Sequence, residues 1–266
     1  MSKLTGAIHT VKTLEDHALK KSVIHRLNPV SKLAVTLAYI GIAVSFGRYD
    51  ISALLPMIFY PVVIFSLSEV DLRFFIKPLL FAMPVIVFLG IFNPVFDTQI
   101  LFIGSVAVSR GWLTFMSVFI KGMLTVSAAL LLAATTGISS IAAALRFIKI
   151  PKLFVLQILL VYRYITVILE EADRITLAYS LKAPGQRGIH YKVWGSLTGQ
   201  LLLRTFDRAQ RIYEAMLLRG FSGEYMTGKA IRFTAADCFY IILWLAFFIL
   251  VRRVNITGML GGLVVI

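Results

Sequence analysis

The chain has 266 residues, 59% of them hydrophobic and only 15% charged, with a mean hydropathy of +0.86. Soluble domains are about 45–50% apolar, so this balance points away from an ordinary soluble domain and towards a membrane protein. The net charge of +14 would suggest nucleic acid in a soluble chain. Among long apolar runs it reads instead as a cytoplasmic surface facing the lipid bilayer or an acidic protein, with no nucleic-acid partner.

The first 30 residues are polar and basic without a long apolar core, and no cleavable signal peptide is expected. Four apolar runs follow before residue 137: Leu33–Phe46, Ile51–Leu67, Leu79–Phe92 and Trp112–Thr136. A bilayer core needs roughly 20 helical residues, so the first and third must tilt, extend into their flanks or be sheltered. Gly47-Arg48-Tyr49-Asp50 reads as a tight connection, and Pro56, Pro61 and Pro84 predict kinks. Lys121 lies roughly 14 Å into the fourth run, counted from Trp112, and snorkelling or a buried ion pair is its expected role. A fifth run, Cys238–Val251, comes near the end. Cys238 is the single cysteine, so no intrachain disulfide framework exists.

Lys and Arg orient these runs. Residues 1–32 carry six, loop 68–78 two and segment 137–236 fourteen, whereas turn 47–50 and loop 93–111 carry one each. The N-terminus and the 137–236 segment are therefore expected on the cytoplasmic side. Leu153–Leu169 is long enough to be a further span. Crossing there would place ten basic residues between Arg174 and Arg232 outside, and Arg163 near its middle resists lipid exposure. The run is read as a helix at the cytoplasmic interface or against a partner.

Beyond Pro151 two helices are predicted, about Lys152–Leu181 and about Trp194–Leu218, broken by Ala183-Pro184-Gly185. Glu170 and Arg174 are four apart on the first. On the second, Leu202, Phe206, Ala209, Tyr213, Met216 and Leu217 follow helical spacing. Arg204, Arg208 and Arg211 form another face, with Asp207 placed to pair with Arg211. Gly220 supplies a stop. About 100 residues of this kind cannot bury all their apolar faces alone, so a covering partner or membrane is expected. Arg219, followed by glycine, could present its fork to a carboxylate in a neighbouring groove; the plainer reading is an arginine favoured by the helix dipole.

No phosphate loop with Gly-x4-Gly-Lys-Ser/Thr occurs, nor His-Glu-x-x-His, Gly-x-Ser-x-Gly or Cys-x-x-Cys. His9, His17 and His25 are eight apart and do not share a helical face, and with His190 they suggest no metal site. No catalytic or cofactor-binding residue is expected. Carboxylates are absent inside the five runs, which removes the usual mark of an ion-coupled carrier.

The stretch "YRYITVILEEADRITLA" (162–178), followed by "RIYEAMLLRGFSGEY" (211–225), resembles the transmembrane T component of energy-coupling factor transporters, the EcfT/CbiQ family. "NPVSKL" (28–33), "FNP" (92–94) and "LLLAATTGISSIAAAL" (130–145) fit the same pattern, and "LLLRTFDRAQRIYEAMLLRGF" (201–221) is most similar to the cobalt and nickel, CbiQ-type branch. The resemblance implies an all-α polytopic membrane protein with about five transmembrane helices and cytoplasmic amphipathic coupling helices. It implies a non-enzymatic subunit without cofactor, joining a pair of ABC-type ATPases to a CbiM-like substrate-binding S component in the cell inner membrane. Each coupling helix of the family ends in an Ala-Arg-Gly-like motif that docks an ATPase. By position the second motif falls on Leu218-Arg219-Gly220, beside Met216, and the first on Leu181-Lys182-Ala183, which departs at every place. Lysine there keeps the charge and loses the bidentate fork.

The organisation expected is residues 1–136 with the N-terminal segment and four spans, 137–234 as the coupling region and 235–266 as the last span. The alternatives are a shared T component of a vitamin transporter, a membrane enzyme using Glu170, Glu171 and Asp173 at the cytoplasmic interface, and a scaffold binding anionic lipid.

Overall fold

The computed structural model describes residues 6, 22–48, 50–97, 100–103, 106–183, 185, 188–223 and 233–253. The elements in chain order are α1 (Val23–Arg26), α2 (Pro29–Ser45), α3 (Ile51–Ser68), α4 (Leu72–Phe96), β1 (Ile100–Ile103), β2 (Val106–Ser109), α5 (Arg110–Thr136), α6 (Ile138–Phe147), α7 (Lys152–Lys182), α8 (Tyr191–Leu218) and α9 (Ala235–Arg253). Among the described residues α3, α4, α5, α7 and α9 are long and apolar enough to cross a membrane. The protein is thus an all-α polytopic chain, carrying one short antiparallel hairpin, β1–β2, that the sequence reading did not anticipate. The five helices differ from the five runs named from sequence: α7 qualifies, while α2, with 17 residues, is shorter. The described chain divides into two compact units, residues 17–137 with 231–266, and residues 1–16 with 138–230. His9 and His17 lie outside the described residues.

In the first unit, α2 starts where its sequence says it should. Asn28 caps it, its Oδ1 accepting from the Val30 N–H at 2.9 Å, and Pro29 takes the first helical position, where no N–H is needed. Val35, Tyr39 and Ala43 recur at helical spacing and are fully buried. Tyr39 stacks 4.6 Å from Tyr60 of α3, and Tyr60 meets Trp244 of α9 edge-on at 4.8 Å, with Phe248 beside both tyrosines. The hydroxyls in this aromatic core are satisfied: Tyr39 donates to the Met57 carbonyl at 3.0 Å, and Tyr60 and Thr36 share a bond of 2.9 Å.

Pro56 turns Leu55–Ile58 into a 3-10 segment inside α3, because proline cannot donate the α-helical bond. Pro84 behaves differently. It stays inside one continuous α4, together with Pro78 and Pro94. The α4–α5 contact is tight because glycines line it. A Cβ at Gly90 would sit 2.8 Å from Phe115, one at Gly122 2.8 Å from Ile86, and one at Gly111 2.6 Å from the Asp97 carbonyl. Small residues that let backbones approach are the usual route to helix association in lipid, where apolar burial gives no drive.

Two polar clusters fix the ends of these helices. At one, the Asp237 carboxylate is almost wholly buried and accepts from the Asn28 N–H at 2.7 Å, Ser31 Oγ at 3.1 Å, the Thr234 N–H at 2.8 Å and Thr234 Oγ1 at 2.6 Å. Asp237, in the first turn of α9, reaches back to the N–H and hydroxyl of Thr234, the carboxylate half of a capping box, and also holds the start of α2. Beside it the buried Lys32 donates to the Thr135 carbonyl near the end of α5 at 2.8 Å. The run beginning at Cys238 excluded this carboxylate, but α9 begins at Ala235 and includes it. At the other cluster Lys121 donates to the carbonyls of Phe46 and Gly47 at 2.6 and 3.2 Å, and Arg252 donates to Ser45 at 3.1 Å while lying over the Phe46 ring. Lys121 therefore caps the C-terminus of α2, a role that the sequence reading missed. Two cations there meet the negative end of the helix dipole.

Candidate docking surface on the helix pair

The second unit centres on α7 and α8. Helix α7 starts after Pro151 and runs unbroken for 31 residues, and α8 is capped by His190, whose Nδ1 accepts from the Lys192 N–H at 3.4 Å. The predicted bounds hold to within three residues. The two helices lie antiparallel, with Glu171 beside Arg204 at 2.5 Å and Leu153 across from Met216 and Phe221. Glu171 makes this bond with its side chain 17% exposed. The pairings read from spacing come out differently. Arg174 approaches Glu171, at 4.0 Å, instead of Glu170, because Glu171 faces α8 and concentrates charge there. Arg211 uses its Nε on the Asp207 backbone carbonyl at 3.3 Å instead of on the carboxylate.

The pair buries little. Val155 and Ile175 are the buried residues of α7, and α8 has none. Ala209, Tyr213 and Met216 line a groove shared with α7. Leu202 and Phe206, on the same predicted stripe, remain 68% and 67% exposed. An unpaired apolar face of this kind is what a covering partner or lipid would remove from contact with water.

The end of α8 has well-defined geometry. Gly220 adopts φ +77°, its N–H donates to the Leu217 carbonyl at 2.9 Å, and the Phe221 N–H donates to Met216 at 3.0 Å. These are the two bonds of a Schellman motif, and its apolar contact is made by Met216 and Phe221, which line the same groove. Only glycine takes that φ without strain. Leu218 is 90% exposed, and the exposed side chain of Arg219 has no hydrogen-bond or ion-pair partner among the described residues. The chain reversal thus presents Arg219 as a free cation at the tip of a helix.

The end of α7 is built differently. Ala183 closes it with φ −124° and its N–H on the Tyr179 carbonyl at 3.1 Å; among the described residues that follow, positive φ comes at Gly185 and Gly188. Leu181 is 74% exposed and Lys182 is the last helical residue. Leu181, Lys182 and Ala183 therefore lie at one helix end, and Met216, Leu218, Arg219 and Gly220 at another.

A sequence profile described as CbiQ, cobalt transport protein, matches residues 20–228. The chain belongs to this family. The match spans both the latch at Asn28 and the Schellman turn at Gly220. A search of the curated proteins gave no significant match. The protein is accordingly a transport component of cobalt type, from a family of transporter parts and not of enzymes. The quoted family stretches acquire physical roles here. Asn28, Ser31 and Lys32 of "NPVSKL" tie α2 to α9 and α5. Asn93 of "FNP" donates to the Gly90 carbonyl at 3.1 Å, beside the close approach of Gly111 to Pro94.

Proposed function

We propose that this chain is the transmembrane coupling subunit of an ECF-type ABC importer for cobalt or nickel, lying in the inner membrane with its N-terminus cytoplasmic. In this reading a pair of ABC-type ATPases grips the ends of α7 and α8, and their ATP-driven motion passes through these helices to a CbiM-like substrate-binding subunit. The observation that carries the proposal is the tip of α8, where a Schellman turn holds an unpaired, exposed Arg219 at the end of a helix with no buried residue. A helix packed into a core of its own unit would bury one face. This one keeps both an apolar stripe and a terminal cation available. Arginine suits a carboxylate in a partner groove through two parallel N–H bonds.

Arg219 is the principal contact in this reading, with Leu218 and Met216 as its apolar flank and Gly220 as the residue that permits the turn. Leu181, Lys182 and Ala183 form the second contact, weaker because lysine is a point charge without the fork. Leu153–Leu169 lies at the cytoplasmic interface in this arrangement, which keeps the basic residues of α8 on the side where the charge rule places them.

The test is co-purification of the wild type and Arg219→Glu with the ATPase pair encoded for the same transporter. Arg219→Glu is expected to lose the ATPases while remaining folded and membrane-inserted. Equal recovery of the ATPases with both proteins would remove Arg219 from the coupling contact.

A further inference from the structure

The groove between α7 and α8 has two chemically distinct halves. Its polar half, a cavity of 390 Å³, is lined by Glu171, Arg204, Arg208 and Arg211 with Val167 and Ile168. Its apolar half, 540 Å³, runs on from there between residues such as Leu156, Leu160, Tyr164, Ile212 and Met216. Val167, Ile168, Thr205 and Arg208 line both, so the two halves form one cleft.

Charge in the polar half is unbalanced. Three guanidinium groups face one carboxylate, and Glu171 is already bonded to Arg204 and approached by Arg174. Arg211 spends its Nε on the Asp207 carbonyl, which leaves its terminal nitrogens free. Glu171 answers the charge of Arg204, which leaves Arg208 and Arg211, three apart on one helix face, repelling each other unless a second anion sits between them. Guanidinium forks match phosphate oxygens in particular.

The apolar half decides what the anion is attached to. Its lining is aliphatic and aromatic, with polar side-chain atoms only on Tyr164, Thr205, Arg208 and Tyr213, and no carboxylate. A peptide laid there would bring backbone N–H and C=O groups with too few partners. A hydrocarbon chain brings none. Helix α7 is itself apolar enough to cross a membrane, so acyl chains are the natural neighbours of its surface.

We propose that this cleft binds an anionic phospholipid, its phosphate held by Arg204, Arg208 and Arg211 and an acyl chain laid along the apolar groove between α7 and α8. The site uses the α8 face that turns towards α7. It leaves Arg219 and the outward Leu202–Phe206 stripe uncovered and shares only Met216 with the proposed ATPase contact.

The experiment is native mass spectrometry of the full-length protein in detergent, titrated with phosphatidylglycerol and with phosphatidylcholine of the same acyl chains. Both lipids carry a phosphate, but the trimethylammonium of phosphatidylcholine cancels its charge, so the wild type is expected to bind phosphatidylglycerol roughly thirtyfold more tightly, as the two arginines not paired with Glu171, Arg208 and Arg211, would give. Arg208→Gln/Arg211→Gln should bind the two lipids alike, and Arg208→Lys/Arg211→Lys should keep most of the preference. Ile212→Trp, which fills the groove, should weaken both lipids. Equal binding of the two lipids by the wild type would overturn the proposal and leave the cleft to a protein surface. So would a preference that survives the double Gln change, or complete displacement of phosphatidylglycerol by excess inorganic phosphate, which would make this a site for a free anion. Should the double Gln variant not fold, crosslinking the wild type with phosphatidylglycerol bearing a photoactivatable acyl chain reads the same point. Adducts on Leu160, Tyr164, Ile212 or Met216 support the site, and adducts confined to α2–α5 and α9 contradict it.

Discussion

The unit of residues 17–137 and 231–266 withdraws Tyr39, Leu54, Met57 and Phe248 completely, whereas α8 in the other unit withdraws no residue at all. Both segments carry apolar residues at helical spacing, so spacing alone does not say which apolar faces find partners within the chain. The difference lies in what accompanies the stripe. Helices α2, α3 and α9 supply aromatic rings with satisfied hydroxyls and a buried carboxylate with four donors, which fix one arrangement. Helix α8 supplies arginines and one pair with Glu171, which tolerate an exchange of partners. The first unit is fixed by a core of its own, although its α4 leaves Phe81 and Phe96 84% and 82% exposed as a lipid-facing helix would; α8 has no such core and is made to be covered.

The sharpest way to break this comparison is to truncate matched aromatic residues. Phe248→Ala removes a ring packed against Tyr39, Tyr60 and Trp244 and should cost about 3–5 kcal/mol, read as a large drop in thermal unfolding temperature in detergent. Phe206→Ala, on the exposed stripe of α8, should stay within about 0.5 kcal/mol in the same assay while, on the proposed function, lowering recovery of the ATPases. Asp237→Leu comes next. It strips the acceptor from Asn28, Ser31 and Thr234 and is expected to destabilise by about 3 kcal/mol, with loss of amide protection at the starts of α2 and α9.

Smaller effects sharpen the contrast between the two helix ends. Gly220→Ala forces an L-residue into φ +77° and should cost about 1–2 kcal/mol, fraying the last turn of α8 in hydrogen exchange. Ala183→Gly should change little, because the end of α7 uses no positive φ at that residue. Smallest of all is Arg204→Gln. The arginine is 57% exposed, so the pair with Glu171 should be worth at most about 1 kcal/mol and less at high salt.

Much of the architecture could be read directly from the residues. Gly220 is a helix stop by its chemistry, and the bounds of α7 and α8 follow from Pro151 and the break after Lys182; Asn28-Pro29 carries the signal of a helix start that the reading of the first run from Leu33 passed over. Apolar length also led to five helices long enough to span, although by that measure α7 stands where the Leu33–Phe46 run was expected, α2 being shorter. What escaped the sequence depends on pairing between distant segments. Lys121 could be placed in a span by counting, but its target is a row of carbonyls 74 and 75 residues away. Asp237 stood next to a run of apolar residues and looked like a flank until Asn28 and Ser31 were brought to it. The α7–α8 cleft was hidden for the same reason: Arg208 and Tyr164 come together only once two helices have chosen their facing sides. The hairpin at 100–109 lay in a stretch read simply as the loop after the third run.

The central claim is that α8 and its Arg219 tip form a surface made for the ATPase pair, while α2, α3 and α9 are held by a core of their own. Hydrogen–deuterium exchange on the full-length protein, with and without the purified ATPases, tests it most directly. Added protection is expected across residues 211–221, with α2 and the core stretch of α9 unchanged. Unchanged exchange at 211–221 with the ATPases demonstrably bound would contradict the account and place the coupling contact elsewhere on the chain.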